Sequence, residues 1–166
     1  MEEQLQEKAV LVGLNITTNV KKIDDIDINE SMAELKELVK AAGAEVLASV
    51  IQNKPARDAA YFIGKGKVEE IRDYCHMLGA TMIVFNDELS GAHMRNIEDV
   101  TGLKVIDRTA LILDIFAQRA LSKEGKLQVE LAQLKYRLPR LYGMGGQMSR
   151  TGAGIGTRGP GEQKLE

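Results

Sequence analysis

Along its first two thirds the chain alternates short apolar runs with amphipathic stretches of helical period. Ala9-Val-Leu-Val-Gly-Leu14 is a run of the length a buried strand needs. Asp24 to Asn29 is polar and reads as a loop. Ser31-Met-Ala-Glu34 then has capping-box form, and Met32, Leu35, Leu38, Val39 and Ala42 share one helical face that Gly43 ends. Ala44 to Val50 reads as the next strand, and Tyr61-Phe-Ile63 as a very short one. Val68, Ile71, Cys75 and Leu78 form a second helical face, stopped by Gly79. Thr81-Met-Ile-Val-Phe85 predicts a strand. Ser90 caps a helix running to Val100 with Gly102 behind it, and Leu103 to Ile106 is the last strand.

Strand–helix–strand repetition of this kind implies an α/β fold, a mostly parallel β-sheet flanked by helices, over residues 1–107. Beyond Asp107 the strand pattern stops. Residues 109–121 form an apolar helix, Ser122-Lys-Glu-Gly125 a break, and residues 123–141 a second helix. In that second helix Leu127, Leu131, Leu134, Leu138 and Leu141 step by four and three, a coiled-coil-like seam. Pro139 is expected to kink or end it near its last turn. At ~1.5 Å per residue the helix spans roughly 30 Å. The seam demands a partner helix, and only Glu162 to Glu166 can begin one within the chain. Residues 108–166 therefore read as a helical subdomain: two helices, a Gly-rich loop at 143–161, and the start of a second long helix at 162–166, continued past residue 166 in a longer parent protein.

Composition changes this picture at one place. From Gly143 to Gly161, eight of nineteen residues are glycine, half of the chain's 16. The stretch holds Arg150 and Arg158 but no acid and no aromatic. Glycine lets backbone N–H groups press against phosphates, and arginine forks to phosphate or stacks on a base. A long segment of this kind is functional or a linker, and composition alone leaves both open. Charge is divided along the chain: residues 1–103 carry 11 basic and 18 acidic side chains, residues 104–166 carry 11 and 6. A net of -2 thus conceals a basic arm on an acidic body, although a solvated charged helix gives the same balance. Gly64-Lys-Gly-Lys67 stands where a helix begins, and Lys65 and Lys67 there suit an anion or are ordinary solvated turn lysines.

Other candidates point to structure rather than chemistry. Cys75 is the chain's one cysteine, which rules out an internal disulfide and fits a reducing cytoplasm. His76 and His93 lack companions at metal-ligand spacing, so no metal is expected. Asp107 and Asp114 are read as capping the helix that follows and pairing with Arg108 or Arg119. No apolar run approaches the ~20 residues of a membrane span. Asp99-Val-Thr-Gly102 matches a nucleotide-switch pattern, but with no Gly-x-x-x-x-Gly-Lys-Ser/Thr ahead of it the motif reads as a helix end.

Several of these segments resemble one family. Gly154-Ile-Gly-Thr-Arg-Gly-Pro-Gly-Glu-Gln-Lys-Leu-Glu166 is similar to the signature preceding the GTPase domain of HflX-type proteins. Asp107-Arg-Thr-Ala-Leu-Ile-Leu-Asp-Ile-Phe116, Arg119-Ala120, Gln128-Val-Glu-Leu-Ala-Gln-Leu134 and Phe62-Ile-Gly-Lys-Gly-Lys-Val68 resemble its amino-terminal domain. Gly91 stands where the family has Pro, and Ala153 where Gly is common. The resemblance implies a cytoplasmic, ribosome-associated GTPase whose amino-terminal domain binds the large (50S) subunit near the peptidyl transferase centre and splits or rescues stalled ribosomes. It implies that the loop residues Arg150, Thr151, Gly152, Gly154, Gly156, Arg158 and Gly159 contact ribosomal RNA, and the helix-start lysines Lys65 and Lys67 are read as a second such contact. It further implies no catalysis and no cofactor in this portion, with GTP and Mg2+ held in the parent's GTPase domain, itself a partner. Two other readings stay open: a nucleotide-binding α/β domain with its own ATP or GTP site at Gly64–Lys67, and a protein-docking module that self-associates through the leucine seam.

Overall fold

The computed structural model describes residues 6–18 and 27–141 of the chain. They form four strands and five helices in the order β1 (Lys8–Ile16), α1 (Ile28–Ala41), β2 (Glu45–Lys54), α2 (Lys65–Leu78), β3 (Met82–Phe85), α3 (Gly91–Thr101), β4 (Lys104–Asp107), α4 (Arg108–Arg119) and α5 (Lys123–Leu141). The strands make one sheet, ordered β2-β1-β3-β4, and every pairing is parallel. The predicted α/β class is therefore observed.

Parallel strands bury both faces, which is why β1 and β3 read as unbroken apolar runs. On one face Val10, Val12, Ile83 and Phe85 pack against Val68, Ile71 and Cys75 of α2 and Met94 and Ile97 of α3. On the other, Ala9, Leu11, Met82 and Val84 meet Met32, Leu35 and Val39 of α1 and Leu111 and Ile115 of α4. So α4, although it follows the last strand, completes the core of the α/β body. Leu47 has no partner between the Ala9–Val46 and Val10–Ala48 pairs, a bulge that turns the early part of β2.

Two local expectations are corrected. Helix α1 starts before Ser31: Asp27 is its cap, accepting from the Asn29 amide at 3.3 Å, and the Ser31 hydroxyl is taken by Asn86 instead. Tyr61 to Ile63 is not a strand but the exit of a tight turn, closed by an antiparallel bridge between Asp58 and Phe62. The Asp58 carboxylate accepts from the Ala60 and Tyr61 amides at 2.9 and 2.8 Å, which local reasoning on apolar runs does not register. Helix α5 has the expected bounds, running through Pro139 to Leu141, the last described residue. Proline so near a helix end removes a single ladder bond, and the Arg140 guanidinium donates to the Tyr136 carbonyl at 2.9 Å in the same turn. The expected stops at Gly79 and Gly102 are observed, both glycines taking the left-handed conformation at φ 76° and 71°. Asp99 to Gly102 is accordingly the end of α3.

Candidate nucleic-acid interface

In a parallel sheet every strand delivers its carboxyl end to the same edge, and every following helix begins there. Lys54 ends β2 and Lys65 begins α2, so both lie at this edge. The turn between them is firmly framed. Phe62 adopts φ 66°, a left-handed backbone that costs a bulky residue energy. Its buried ring offsets that cost by lying edge-on to Phe85 and His93 at 6.3 and 5.5 Å, with the Arg57 guanidinium 5.7 Å from its centre. Asn96 of α3 donates to the Ala60 carbonyl at 2.9 Å. Backbone hydrogen bonds from Tyr61 and Ala60 hold the Asp58 carboxyl below its ordinary range.

Helix α2 emerges from this frame at Gly64, whose amide donates to the Gln52 side chain at 2.9 Å. No side chain caps α2 and no acid stands in its first turn, so its leading N–H groups face outward. Lys65 and Gly66 are exposed. Lys67 is differently placed: its ammonium lies 3.4 Å from Glu70, and its stem walls a groove of about 470 Å³ with Ser49, Val50, Ile71, Tyr74 and Met77. The structure thus brings Lys65 to an open anion-attracting end and ties Lys67 partly to a carboxylate. Lys54, missed by motif reading, joins them, its ammonium 3.8 Å from where a Gly64 Cβ would sit. Only the parallel pairing of β2 shows that strand end and helix start meet.

The other predicted contacts, Arg150, Thr151, Gly152, Gly154, Gly156, Arg158 and Gly159, lie outside the described residues. The helix that leads to them, α5, is described. It runs antiparallel to α4, with Gln133 and Arg137 at Asp114 and Tyr136 at Asp107. Its end reaches α3, where Arg140 donates to the Leu89 carbonyl at 2.9 Å and to Glu88 at 2.7 Å. A Cβ on Gly91 would overlap the Arg140 carbonyl, so glycine permits this approach. Leu141 therefore stands at the strand-carboxyl edge, the edge that also carries Lys54 and Lys65.

The two aspartates correct the expectation of pairing with Arg108 or Arg119. Asp107 does cap α4, accepting from the Ala110 amide at 3.0 Å. Its other oxygen accepts from the Leu89 amide at 2.9 Å and from the Tyr136 hydroxyl. Burial, then the bond to Asp107, raises the Tyr136 phenol well above its ordinary value. Asp114 accepts from Gln133 at 3.0 Å and lies 3.5 Å from Arg137. Arg108 turns the other way, to Glu34 at 3.1 Å and Asn86 at 2.9 Å.

Arg108 also bears on the nucleotide reading. In strand order β2-β1-β3-β4 the topological switch lies between β1 and β3, where open α/β sheets place ligands. Here Arg108, Ser31, Asn86 and Glu34 bond to one another across that region, while Asp87 beside them keeps one buried carboxylate oxygen without a hydrogen-bond partner. Gly64 to Lys67 lies instead at the start of α2, after the edge strand. Among the described residues no group of three or more His, Cys, Asp or Glu is placed to hold a metal ion, and no helix is long and apolar enough to cross a membrane.

Comparison with known proteins gives a consistent result. Residues 29–117 match the family model described as GTP-binding GTPase N-terminal, and residues 119–166 the model described as GTP-binding GTPase Middle Region. The chain is 54% identical over 161 residues to a protein named GTPase HflX from Caldanaerobacter subterraneus subsp. tengcongensis, covering 97% of this chain and 36% of that one. It is 45% identical over 160 residues to GTPase HflX of Escherichia coli, covering 96% and 36%. The chain thus spans little more than a third of the length of these relatives. A solved structure of a GTP-binding protein from Sulfolobus solfataricus in complex with GDP superposes at a TM-score of 0.59 and 28% identity, over 82% of this chain and 38% of that one.

Proposed function

The chain belongs to the HflX family of GTPases, and from that membership we propose that it is the ribosome-binding portion of a GTP-hydrolysing factor. Its target is RNA of the large ribosomal subunit near the peptidyl transferase centre, and the parent protein acts in the cytoplasm on stalled ribosomes. GTP and Mg2+ belong to the parent's GTPase domain, which this portion adjoins. The contacts assigned are Arg150, Thr151, Gly152, Gly154, Gly156, Arg158 and Gly159, with Lys65 and Lys67 as a second cluster.

The observation that carries this reading is the setting of α5. Its polar side grips the α/β body, while Leu127, Leu131 and Leu138 remain 57%, 52% and 58% exposed. Those three outward leucines give α5 an apolar stripe for a second helix, and we propose that the glycine- and arginine-rich segment joins the two. Nineteen residues at ~3.3 Å reach up to ~30 Å from the helix end, within range of a recessed RNA cavity. The family likeness of residues 154–166 supports the same placement.

The deciding experiment is co-sedimentation of the protein with large subunits across a salt series. Affinity should fall steeply with salt, because each phosphate neutralised releases counterions. Arg150→Glu with Arg158→Glu should weaken binding several-fold and flatten the salt slope. Undiminished affinity removes the tip as the contact.

A further inference from the structure

We infer that α5 is a clasped arm: it is seated on the α/β body by a polar interface that opens while the sheet stays folded, and the clasp is Asp107, Tyr136 and Arg140. Three observations support this. No residue of α5 is buried, whereas each of α1 to α4 buries three or four. The described hydrogen bonds and ion pairs between α5 and the body come from Gln133, Tyr136, Arg137 and Arg140 and end on carboxylates or a carbonyl. The link to α4 is the short stretch Ala120 to Ser122, with Leu121 93% exposed.

Interfaces of this kind separate differently from apolar ones. Opening an apolar contact exposes surface that water does not welcome, so core elements come apart together. Opening a polar contact exchanges each bond for one to water, and the net loss per bond is small. When α5 lifts, Asp107 keeps the Leu89 and Ala110 amides and gains solvent at its outer oxygen. The outward leucines are unaffected, so a helix covering them would travel with the arm. Arg140 grips the Leu89 carbonyl and Glu88, so the β3–α3 loop loosens as the arm leaves. That loop carries arm movement into the body.

Native-state hydrogen exchange on the 166-residue chain tests this inference, which does not depend on the RNA reading. In the wild type, α5 amides should open more readily than those of β1 and β3. Tyr136→Phe removes one bond to a buried carboxylate and should speed α5 exchange about tenfold to a hundredfold. The amides of β1 and β3 should not change. Arg140→Gln should act alike, and exposed Gln128→Ala should have no such effect. Opening of α5 and the sheet at one common rate in the wild type overturns the inference. So does a folded Tyr136→Phe protein with unaltered α5 exchange.

Discussion

Asp107 shows how much one side chain coordinates. A single carboxylate caps α4, anchors the Leu89 amide and receives the Tyr136 hydroxyl. The capping part of that role was legible, because an acid directly before an apolar helix is a frequent N-cap. The Tyr136 part was not, since it depends on which face of a helix 29 residues later turns inward. Cys75 is simpler. Desolvation by burial raises its thiol to about 11, so the thiolate is scarce near neutrality. At pH 8 the native protein should resist alkylation by iodoacetamide and react fully once denatured, with mass spectrometry as the readout. Asp87 gives a pH prediction. Burial raises its carboxyl above 3.8, against the bond from the Leu14 backbone and the charges of Arg57 and Arg108. Its contribution to stability is thus complete below pH 3.8 and lost as pH rises through the raised native value. Asp87→Asn should raise the thermal midpoint at pH 7 and leave it unchanged at pH 3.

Helices were legible where their ends are chemical. Gly79, Ser90 and Gly102 each mark a boundary observed within a residue or two, because a left-handed C-cap or a hydroxyl N-cap is a local requirement. At φ 71° Gly102 has no good L-residue substitute. Gly102→Ala should lower stability by about 1 kcal/mol, seen as a lower urea midpoint at unchanged slope. Elements were misread where packing overrides the local pattern. The apolar triplet Tyr61-Phe-Ile63 looks like a strand, yet Phe62 is held left-handed by its ring contacts with Phe85 and His93. Ser31 looks like a cap, yet its hydroxyl serves Asn86 and Arg108 across the sheet edge.

At the scale of the whole molecule, the described part of the basic stretch divides: β4 and α4 complete the α/β body, and α5 lies against it. Helix α5 binds the body through its arginines and its tyrosine and keeps Leu127, Leu131 and Leu138 outward. Uncovered, that seam should make the 166-residue chain self-associate at high concentration. Leu131→Glu places a charge in the middle of the seam and should return the chain to a monomer in light scattering, with its circular dichroism retained. A clean monomer of the unaltered chain at high concentration would refute this.

Periodicity, caps and turn residues determined the elements, their order and the α/β class, because each follows from contacts within a few residues along the chain. The leucine spacing likewise declared an unfilled helix–helix seam, and the glycine- and arginine-rich segment its chemistry. Tertiary structure alone decided which carboxylates receive the arginines, that Lys54 stands beside the start of α2, and that Arg108 joins Ser31, Asn86 and Glu34 at the switch region. Those pairings join groups from ten to 77 residues apart, and the backbone path that closes such distances is set by the packing of the whole sheet.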